Sequence, residues 1–283
     1  MDTTVKRPRL FSLTELVVVI AIVSVLAAIL FPLFTSVREK ANQVGCASNL
    51  RLLGKAYAQY THDNDGYFPG VERQDAGWAY PLYPYVKSYK PFQCPDDNNP
   101  PADSSQVHIS YGQNSNFNDQ IDADGSRVDF TSSGGHGVGM GKITSPSRTV
   151  EVFETASKIK GPNVFMDMMG FANNEGGSST GNGYSEMWTA RYATGILGAR
   201  PGKDSQGNPT FTSSRHPNGS DFLAVDGHVA YLPGYRVSNG FTPASSKNPQ
   251  GNYGPTGQWA TAAGAGNMTS ENGARFALTF STK

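Results

Sequence analysis

The pattern of apolar and polar positions divides the chain into two unlike parts. Residues 16–34 are apolar apart from Ser24 and Pro32, so a helix here would have no polar face. At about 1.5 Å per residue, such a helix spans most of a hydrocarbon core of about 30 Å. The pattern therefore predicts a transmembrane helical half over residues 11–34.

Beyond residue 34 the apolar side chains recur at helical spacing. Five of them, at alternating steps of four and three, share one helical face: Cys46, Leu50, Leu53, Tyr57 and Tyr60. We expect this stripe to pack against a sheet, as the amphipathic stalk half of the same helix over residues 35–62. The whole helix would be about 50 residues and roughly 75 Å long. A plain helix lying on a domain would pack in the same way.

Charged residues mark the ends of the apolar segment without fixing its orientation. The basic residues are Lys6, Arg7 and Arg9 before it and Arg38, Lys40, Arg51 and Lys55 after it. Glu15 is costly to desolvate at the edge of an apolar span, which usually indicates a partner or a function. Ser12 and Glu15 also have the spacing of a capping box, and both roles are compatible.

The run from Arg9 to Ile22, RLFSLTELVVVIAI, resembles the N-terminal signal of type IV prepilins and type II secretion pseudopilins. The resemblance implies that a prepilin peptidase cuts before Phe11 and methylates its new amino group. It also implies that Glu15 pairs with the amine of a neighbouring subunit during assembly, and Pro32 lies where many pilins carry a helix-loosening proline. The implied partners are the membrane, other copies of the chain or other pilin-like subunits, and the peptidase.

The same resemblance implies a location. Residues 1–10 would be a cytoplasmic leader, and residues 63–283 an extracytoplasmic domain on a single-pass inner-membrane protein, displayed on a cell-surface filament if assembled. The family has Gly before the cut, whereas this chain has Leu10. We therefore expect cleavage between Leu10 and Phe11 to be slow or absent, with N-methylation of Phe11 only if the bond is cut.

The composition beyond residue 62 favours a β-rich domain. It is rich in Gly, Asn, Ser, Thr, Pro and Tyr, which suits short strands joined by ordered loops. The apolar runs predict strands at residues 107–111, 149–153, 222–225, 229–232 and 276–280. Residues 132–141, 172–183 and 238–270 read as long loops. The expected fold is α+β, with the long N-terminal helix packed on an antiparallel sheet, and the resemblance to pilins implies that this arrangement is a pilin-like lollipop.

A hairpin motif stands out near the end of the predicted sheet, at residues 216–232. Asp226 and Gly227 between apolar strands predict a two-residue type I′ turn. His216, nine intervening residues, Asp226 and Gly227 also resemble the H-X9-DG element of prepilin-like proteins in the DUF1559 group. The stretch from Cys46 to Pro69 is similar to the same group. The two matches frame residues 9–232, with looser cover in the middle and at the tail.

The two cysteines, Cys46 and Cys94, are both on the exported side in this orientation. An oxidising compartment permits a disulfide between them, and two buried free thiols are the alternative. The bridge requires Cα atoms within about 7 Å and would contribute about 4 kcal/mol by restricting the unfolded chain.

Metal sites are weakly indicated. Asp63, Asp65 and Glu72 fall at offsets of a calcium-binding EF-hand loop, but Thr61 occupies its first position. A second acidic loop contains Asp122 and Asp124, flanked by Asp119 and Asp129. The default interpretation of both is a solvated loop without calcium, and no other cofactor is expected. His216, Asp226 and His228 are chemically suited to a metal, although a structural histidine bonded to a turn is favoured.

The remaining observations narrow the function class. Formal net charge is zero, so no global field favours nucleic acid. The sequence contains no His-Glu-x-x-His or phosphate-binding Gly-Lys-Ser/Thr motif, and an enzyme is not expected. The chain is predicted to be a structural pilin-like subunit. The alternative is a membrane-anchored protein, neither processed nor assembled, that binds a ligand or glycan.

Overall fold

The computed structural model of this chain describes most of the N-terminal half and the strands that follow. The described residues are 12–69, 78–97, 109–114, 117, 136–154, 216, 219–238, 268 and 275–282. Leu10 and Phe11 lie outside them, as do Glu72, Asp122 and Asp124. The processing site and most of the calcium candidates therefore remain predictions.

A single helix, α1, runs from Leu13 to Asp63, which confirms the long N-terminal helix. Its 51 residues correspond to roughly 76 Å at 1.5 Å per residue. Pro32 lies inside it, and the helix continues on both sides. The helix ends where Asp65 and Gly66 adopt positive φ angles of 53° and 82°, the left-handed conformation that closes many helices.

The chain forms two compact units, Met1–Ala41 and Asn42–Lys283, with the boundary inside α1. Within the second unit, β1 (Tyr67–Pro69) and β3 (His136–Gly139) form an antiparallel pair. The main antiparallel sheet has the order β2-β4-β5-β6. Its strands are β2 (Tyr111–Gln113), β4 (Val150–Glu154), β5 (Ser220–Ala224) and β6 (Val229–Leu232). The short helix α2 (Tyr83–Val86) lies between β1 and β2 in the chain.

The main sheet is covered by apolar side chains on both faces. On one face, Val152 and Leu223 join the buried α1 side chains Leu50, Leu53 and Tyr57. This cluster also contains the aromatic and aliphatic residues that follow β1, including Trp78, Leu82, Phe92 and Phe117. The opposite face contributes Val150, Phe153, Phe222 and Ala224 to a second cluster with Val237, Leu278 and Phe280. The predicted packing of the stalk stripe is therefore observed.

Gly54 explains how α1 approaches the sheet so closely. A Cβ atom at this position would lie 3.0 Å from Leu223 Cδ1, closer than nearly all real Cβ contacts. The missing side chain lets β5 place Leu223 directly against the helix backbone. A larger residue at position 54 would require the Leu223 side chain to shift by a few tenths of an ångström.

Several sequence predictions need correction. Strand β3 lies inside residues 132–141, which were expected to form a loop, and it buries Val138. The last strand pair, β7 (Val237–Ser238) with β8 (Leu278–Thr279), is parallel rather than antiparallel. Residues 109 and 110 precede β2 instead of belonging to it. The antiparallel character of the main sheet agrees with the prediction.

The turn between β5 and β6 also differs from the prediction. Gly227 has a φ of 88°, but Asp226 is not among the described residues with positive φ, as a type I′ turn would require. The Gly227 amide donates to the Ala224 carbonyl at 2.8 Å, and the Ala224 amide donates to the His228 backbone carbonyl at 2.9 Å. The loop therefore has three residues, 225–227, and ends in a left-handed glycine.

Candidate functional site

The first candidate site is the apolar half of α1. Its large apolar side chains from Leu13 to Phe34 are each between 52% and 80% exposed. The helix is long and apolar enough to cross a membrane by length and composition, with a mean hydropathy of 3.1 in its most apolar window. Water is a poor environment for so large an apolar surface, which instead suits lipid or neighbouring helices.

Ser12 and Glu15 form a reciprocal cap at the start of this helix. The Ser12 amide donates to Glu15 Oε2 at 2.9 Å, and the Glu15 amide donates to Ser12 Oγ at 3.1 Å. The Ser12 hydroxyl also donates to the same carboxylate oxygen at 3.0 Å. Each residue thus satisfies a backbone amide that the first helical turn leaves without a partner. The bonds hold the Glu15 carboxylate over the helix start.

The second candidate site surrounds a disulfide. Cys46 on α1 and Cys94, which follows the 3-10 turn Lys90–Phe92, are linked, with their Cα atoms 4.9 Å apart. The sequence left open whether these cysteines form a disulfide or remain free thiols, and in the structure they form a disulfide. Both residues are fully buried. The bridge joins α1 to the segment of the chain between β1 and β2.

His216 is buried against this disulfide. Its Nε2 lies 3.7 Å from Cys94 Sγ and 3.2 Å from Glu154 Oε1. Its Nδ1 lies 3.9 Å from Asp96 Oδ2. Glu154 is held in turn, since its Oε2 accepts a 2.9 Å hydrogen bond from the Asp221 amide. The histidine of the H-X9-DG element therefore belongs to a buried polar cluster.

Asp221, next to this cluster, has a carboxyl whose pKa is raised. Burial, reinforced by the negative charge of Glu154, raises the pKa of Asp221 to about 7, although His216 and Arg51 act in the opposite direction. Asp221 Oδ2 is buried, and no described residue forms a hydrogen bond with it, which fits a carboxyl that is costly to ionise.

Glu151, on β4, is a second acidic side chain with a raised pKa, and the charged neighbour that affects it is Asp226 rather than Glu154. Complete burial raises its pKa well above the ordinary value, and the charge of Asp226 adds to the effect. Its own charge in turn adds to the burial that raises the pKa of Tyr57 on α1. The Glu151 carboxyl therefore lies within electrostatic range of Tyr57 on the helix.

The residues expected to accompany His216 lie elsewhere. Asp226 and His228 form their own pair, with Asp226 Oδ1 2.6 Å from His228 Nδ1, and both side chains are more than one-third exposed. Within the described part of the chain, neither joins a group of three or more candidate metal ligands. The metal site suggested from His216, Asp226 and His228 is therefore not formed. The side chain of His216 contacts Glu154 and Cys94 instead of Asp226 and His228.

The calcium candidates that the structure describes also remain apart. Asp63 is the last residue of α1 and accepts a hydrogen bond from the Tyr85 hydroxyl at 3.1 Å. Thr61 donates its hydroxyl back to the Tyr57 carbonyl at 2.9 Å, as in an ordinary helix. Among the described residues, Asp63 and Asp65 join no cluster of three candidate ligands. This segment forms a helix end followed by β1.

No family model, curated protein or solved structure matches this chain. The geometry of its own residues therefore carries the functional argument.

Sequence reasoning missed Glu154. The run VEVFE at residues 150–154 contains two glutamates in a strand that is buried throughout. A charge in such a strand requires a partner, because an isolated buried carboxylate is strongly disfavoured. That signal was present in the sequence, but the partner at position 216 is 62 residues away. Only the strand pairing brings them together.

Proposed function

We propose that this chain is a membrane-anchored structural subunit of the pilin-like type. It assembles through the N-terminal half of α1 into a type IV pilus-like or secretion pseudopilus filament. The observation that carries the proposal is the exposed, all-round apolar surface of α1 between Leu13 and Phe34. Lipid covers this surface before assembly, and equivalent helices of other subunits cover it afterwards.

The Ser12–Glu15 cap supports an assembly role for the same segment. The carboxylate is fixed by hydrogen bonds from Ser12 alone in the described structure, at the exposed start of the helix. Carboxylates accept more than one hydrogen bond, so an ammonium group of a neighbouring subunit can bind Glu15 without breaking the cap. The resemblance of residues 9–22 to prepilin signals predicts this pairing. The H-X9-DG resemblance supports the same protein class.

A second candidate function rests on Leu10. If the bond before Phe11 is not cut, no new amine forms there, and the chain stays a membrane-anchored extracytoplasmic protein that binds a ligand or glycan. The observation in its favour is the leucine at a position where the family has glycine. The two functions predict different N-termini and different locations.

The deciding experiment isolates sheared cell-surface material from the native host. Electron microscopy should show filaments, and mass spectrometry should identify this chain in them with Phe11 as its N-methylated first residue. An intact terminus before Phe11, with the chain confined to the membrane fraction, would contradict the proposal and favour the anchored binding protein.

Glu15→Gln is the sharpest variant for the assembly step. The glutamine side chain retains an oxygen that can cap the helix, while the charge is removed. Filament yield should fall strongly while the amount of membrane-inserted subunit stays unchanged. Ser36→Ala is the control, because its hydroxyl only donates to the Leu33 carbonyl within the same helix. Equal filament yield in Glu15→Gln and wild type would rule out the charge as an assembly contact.

A further inference from the structure

The buried cluster around His216 combines four metal-ligating side chains. Sγ of Cys46, Sγ of Cys94, one nitrogen of His216 and one carboxylate oxygen of Glu154 all lie within 4.8 Å of one another. All four residues are buried. Two sulfurs, an imidazole and a carboxylate are a donor set that zinc takes in proteins.

Two distances in the cluster are already close to those that a metal site requires. With Zn–S near 2.3 Å and Zn–N or Zn–O near 2.0–2.1 Å, neighbouring ligand atoms of a tetrahedral site lie about 3.3–3.8 Å apart. The distance from His216 Nε2 to Cys94 Sγ is 3.7 Å, and that from Nε2 to Glu154 Oε1 is 3.2 Å. The remaining requirement is that the two sulfurs separate to about 3.8 Å, which they can do only once the disulfide is reduced.

The atoms behind these ligands are also arranged as in metal sites. Glu154 Oε2 accepts the Asp221 amide, which leaves Oε1 directed at His216. On the far side of the imidazole, Asp96 lies near Nδ1, and Asn42 Nδ2 donates to Asp96 Oδ1 at 3.0 Å. Ligating histidines commonly have a carboxylate at the other ring nitrogen, which fixes the orientation of the ring.

We propose that the reduced chain binds one Zn²⁺ through Cys46, Cys94, His216 and Glu154, and that the disulfide is the metal-free state of the same site. A dithiol or a phosphine supplies two electrons, and two protons complete the thiols as the sulfur–sulfur bond breaks. Zn²⁺ then displaces both thiol protons. In reverse, a disulfide oxidant accepts two electrons from the thiolates, the sulfur–sulfur bond forms and Zn²⁺ leaves.

Charge balance makes the exchange compatible with burial. With a neutral imidazole, the disulfide form carries only the negative charge of Glu154. The dithiol form carries the same charge, and so does the zinc form, since two thiolates cancel the two positive charges of the ion. No additional net charge is buried in any of the three states, which avoids the large cost of an isolated buried charge. The site is independent of whether the chain assembles into filaments.

The test uses the full chain in detergent micelles, freed of metal with a chelator. One sample is reduced with a phosphine and the other is left oxidised, and both are titrated with Co²⁺. The reduced sample should take up one Co²⁺ per chain with the intense visible and thiolate charge-transfer bands of four-coordinate cobalt. Zn²⁺ should abolish these bands. The oxidised sample should show neither uptake nor bands.

Variants assign the ligands. The double variant Cys46→Ala with Cys94→Ala should lose the bands, and His216→Cys should keep binding and strengthen the thiolate band. Asp96→Asn, which changes only the group behind the histidine, should weaken binding about 10-fold. His228→Asn is the matched control, because this histidine is exposed and paired with Asp226, and it should bind like wild type.

Several results would overturn the proposal. One is a reduced wild-type chain that takes up no Co²⁺, whether or not it stays folded. Others are a six-coordinate cobalt spectrum or equal uptake by the double alanine variant. The comparison of reduced with oxidised wild type requires no substitution, so misfolding of a variant cannot leave the question open.

Discussion

The two halves of α1 are both rich in apolar residues, but they meet different surroundings. From Leu13 to Phe34 the large apolar side chains are more than half exposed. In the second half, Cys46, Leu50, Leu53, Tyr57 and Tyr60 are buried. The halves therefore differ in how their apolar side chains are distributed, all round the helix in the first half and along one stripe in the second.

The distribution indicates what each half needs for stability. A stripe can be covered by a single sheet, and β4 and β5 provide that cover within the chain. A helix that is apolar on every face needs surroundings on every face, which a lipid bilayer or a bundle of similar helices supplies. The first half therefore depends on its environment, and the second on the chain's own fold.

The largest effect is expected from two arginines in the apolar half, Val23→Arg with Leu26→Arg. Each costs about 2.5–3.5 kcal/mol near the centre of a membrane helix, so the pair costs roughly 5–7 kcal/mol. Alkaline extraction of membranes should release the variant. Val44→Arg with Leu52→Arg repeats the substitutions at exposed stalk positions and should remain in the membrane. Retention of the first variant would show that this segment is not the anchor.

A matched pair of leucines on the one helix tests the second half. Leu53 is fully buried and Leu26 is 54% exposed. Leu53→Ala should destabilise the second unit by about 2–5 kcal/mol, because it removes buried methyl groups and leaves a cavity. Leu26→Ala should leave that unfolding transition unchanged. Urea titration in detergent, monitored by near-UV circular dichroism, measures the unfolding free energy of each variant. Equal destabilisation by the two substitutions would show that the two halves do not differ in their packing.

Glu151 supplies a pH-dependent test of the layer next to Tyr57. Its pKa in the folded chain is well above the ordinary 4.5, so the folded state holds a proton that the unfolded state has lost. Stability should therefore fall as pH rises from about 4.5 towards the raised pKa, with a slope of at most about 1.4 kcal/mol per pH unit. Glu151→Gln should make the decline in urea midpoints above about pH 4.5 less steep, and the slope that remains includes Asp221, whose pKa is also raised. An unchanged slope would assign the titration to another group.

The smallest effect is expected at the cap. Ser12→Ala removes the oxygen that accepts the Glu15 amide and should cost about 1 kcal/mol. Hydrogen exchange of the first-turn amides should accelerate about 5-fold, which corresponds to that free energy. Ser36→Ala serves as the control, since no backbone amide is bonded to its hydroxyl in the described helix. Unchanged exchange in Ser12→Ala would mean that solvent or lipid replaces the cap.

The sequence predicted those features that depend on near neighbours along the chain. The helix followed from spacing within one or two turns, and β6 at Val229–Leu232 matches its predicted range. The prediction of a two-residue turn was wrong, because a left-handed Gly227 suits both a two-residue loop and the three-residue loop observed at residues 225–227. The parallel pairing of Val237 with Leu278 joins residues far apart in the chain, and no local pattern contains it.

The candidate sites divide in the same way. The Ser12–Glu15 cap was predictable because its members are three residues apart. The cluster around His216 was not, because Cys46, Cys94, Glu154 and His216 come from four separate parts of the chain. The sequence shows that each of these residues can bind a metal, but the packing of α1 against the main sheet is what brings them close together.

The bridge between Cys46 and Cys94 also determines how the second unit carries mechanical load. A pull applied to α1 from its N-terminal end reaches Cys46 before most of the stripe that packs against the sheet. From there the covalent bond passes the force directly to Cys94. The polypeptide between the two cysteines is bypassed, so the helix end, β1 and Trp78 bear no tension through the backbone while the bond is intact. While it is intact, the disulfide therefore keeps tension off the part of α1 after Cys46, whose side chains pack against the sheet.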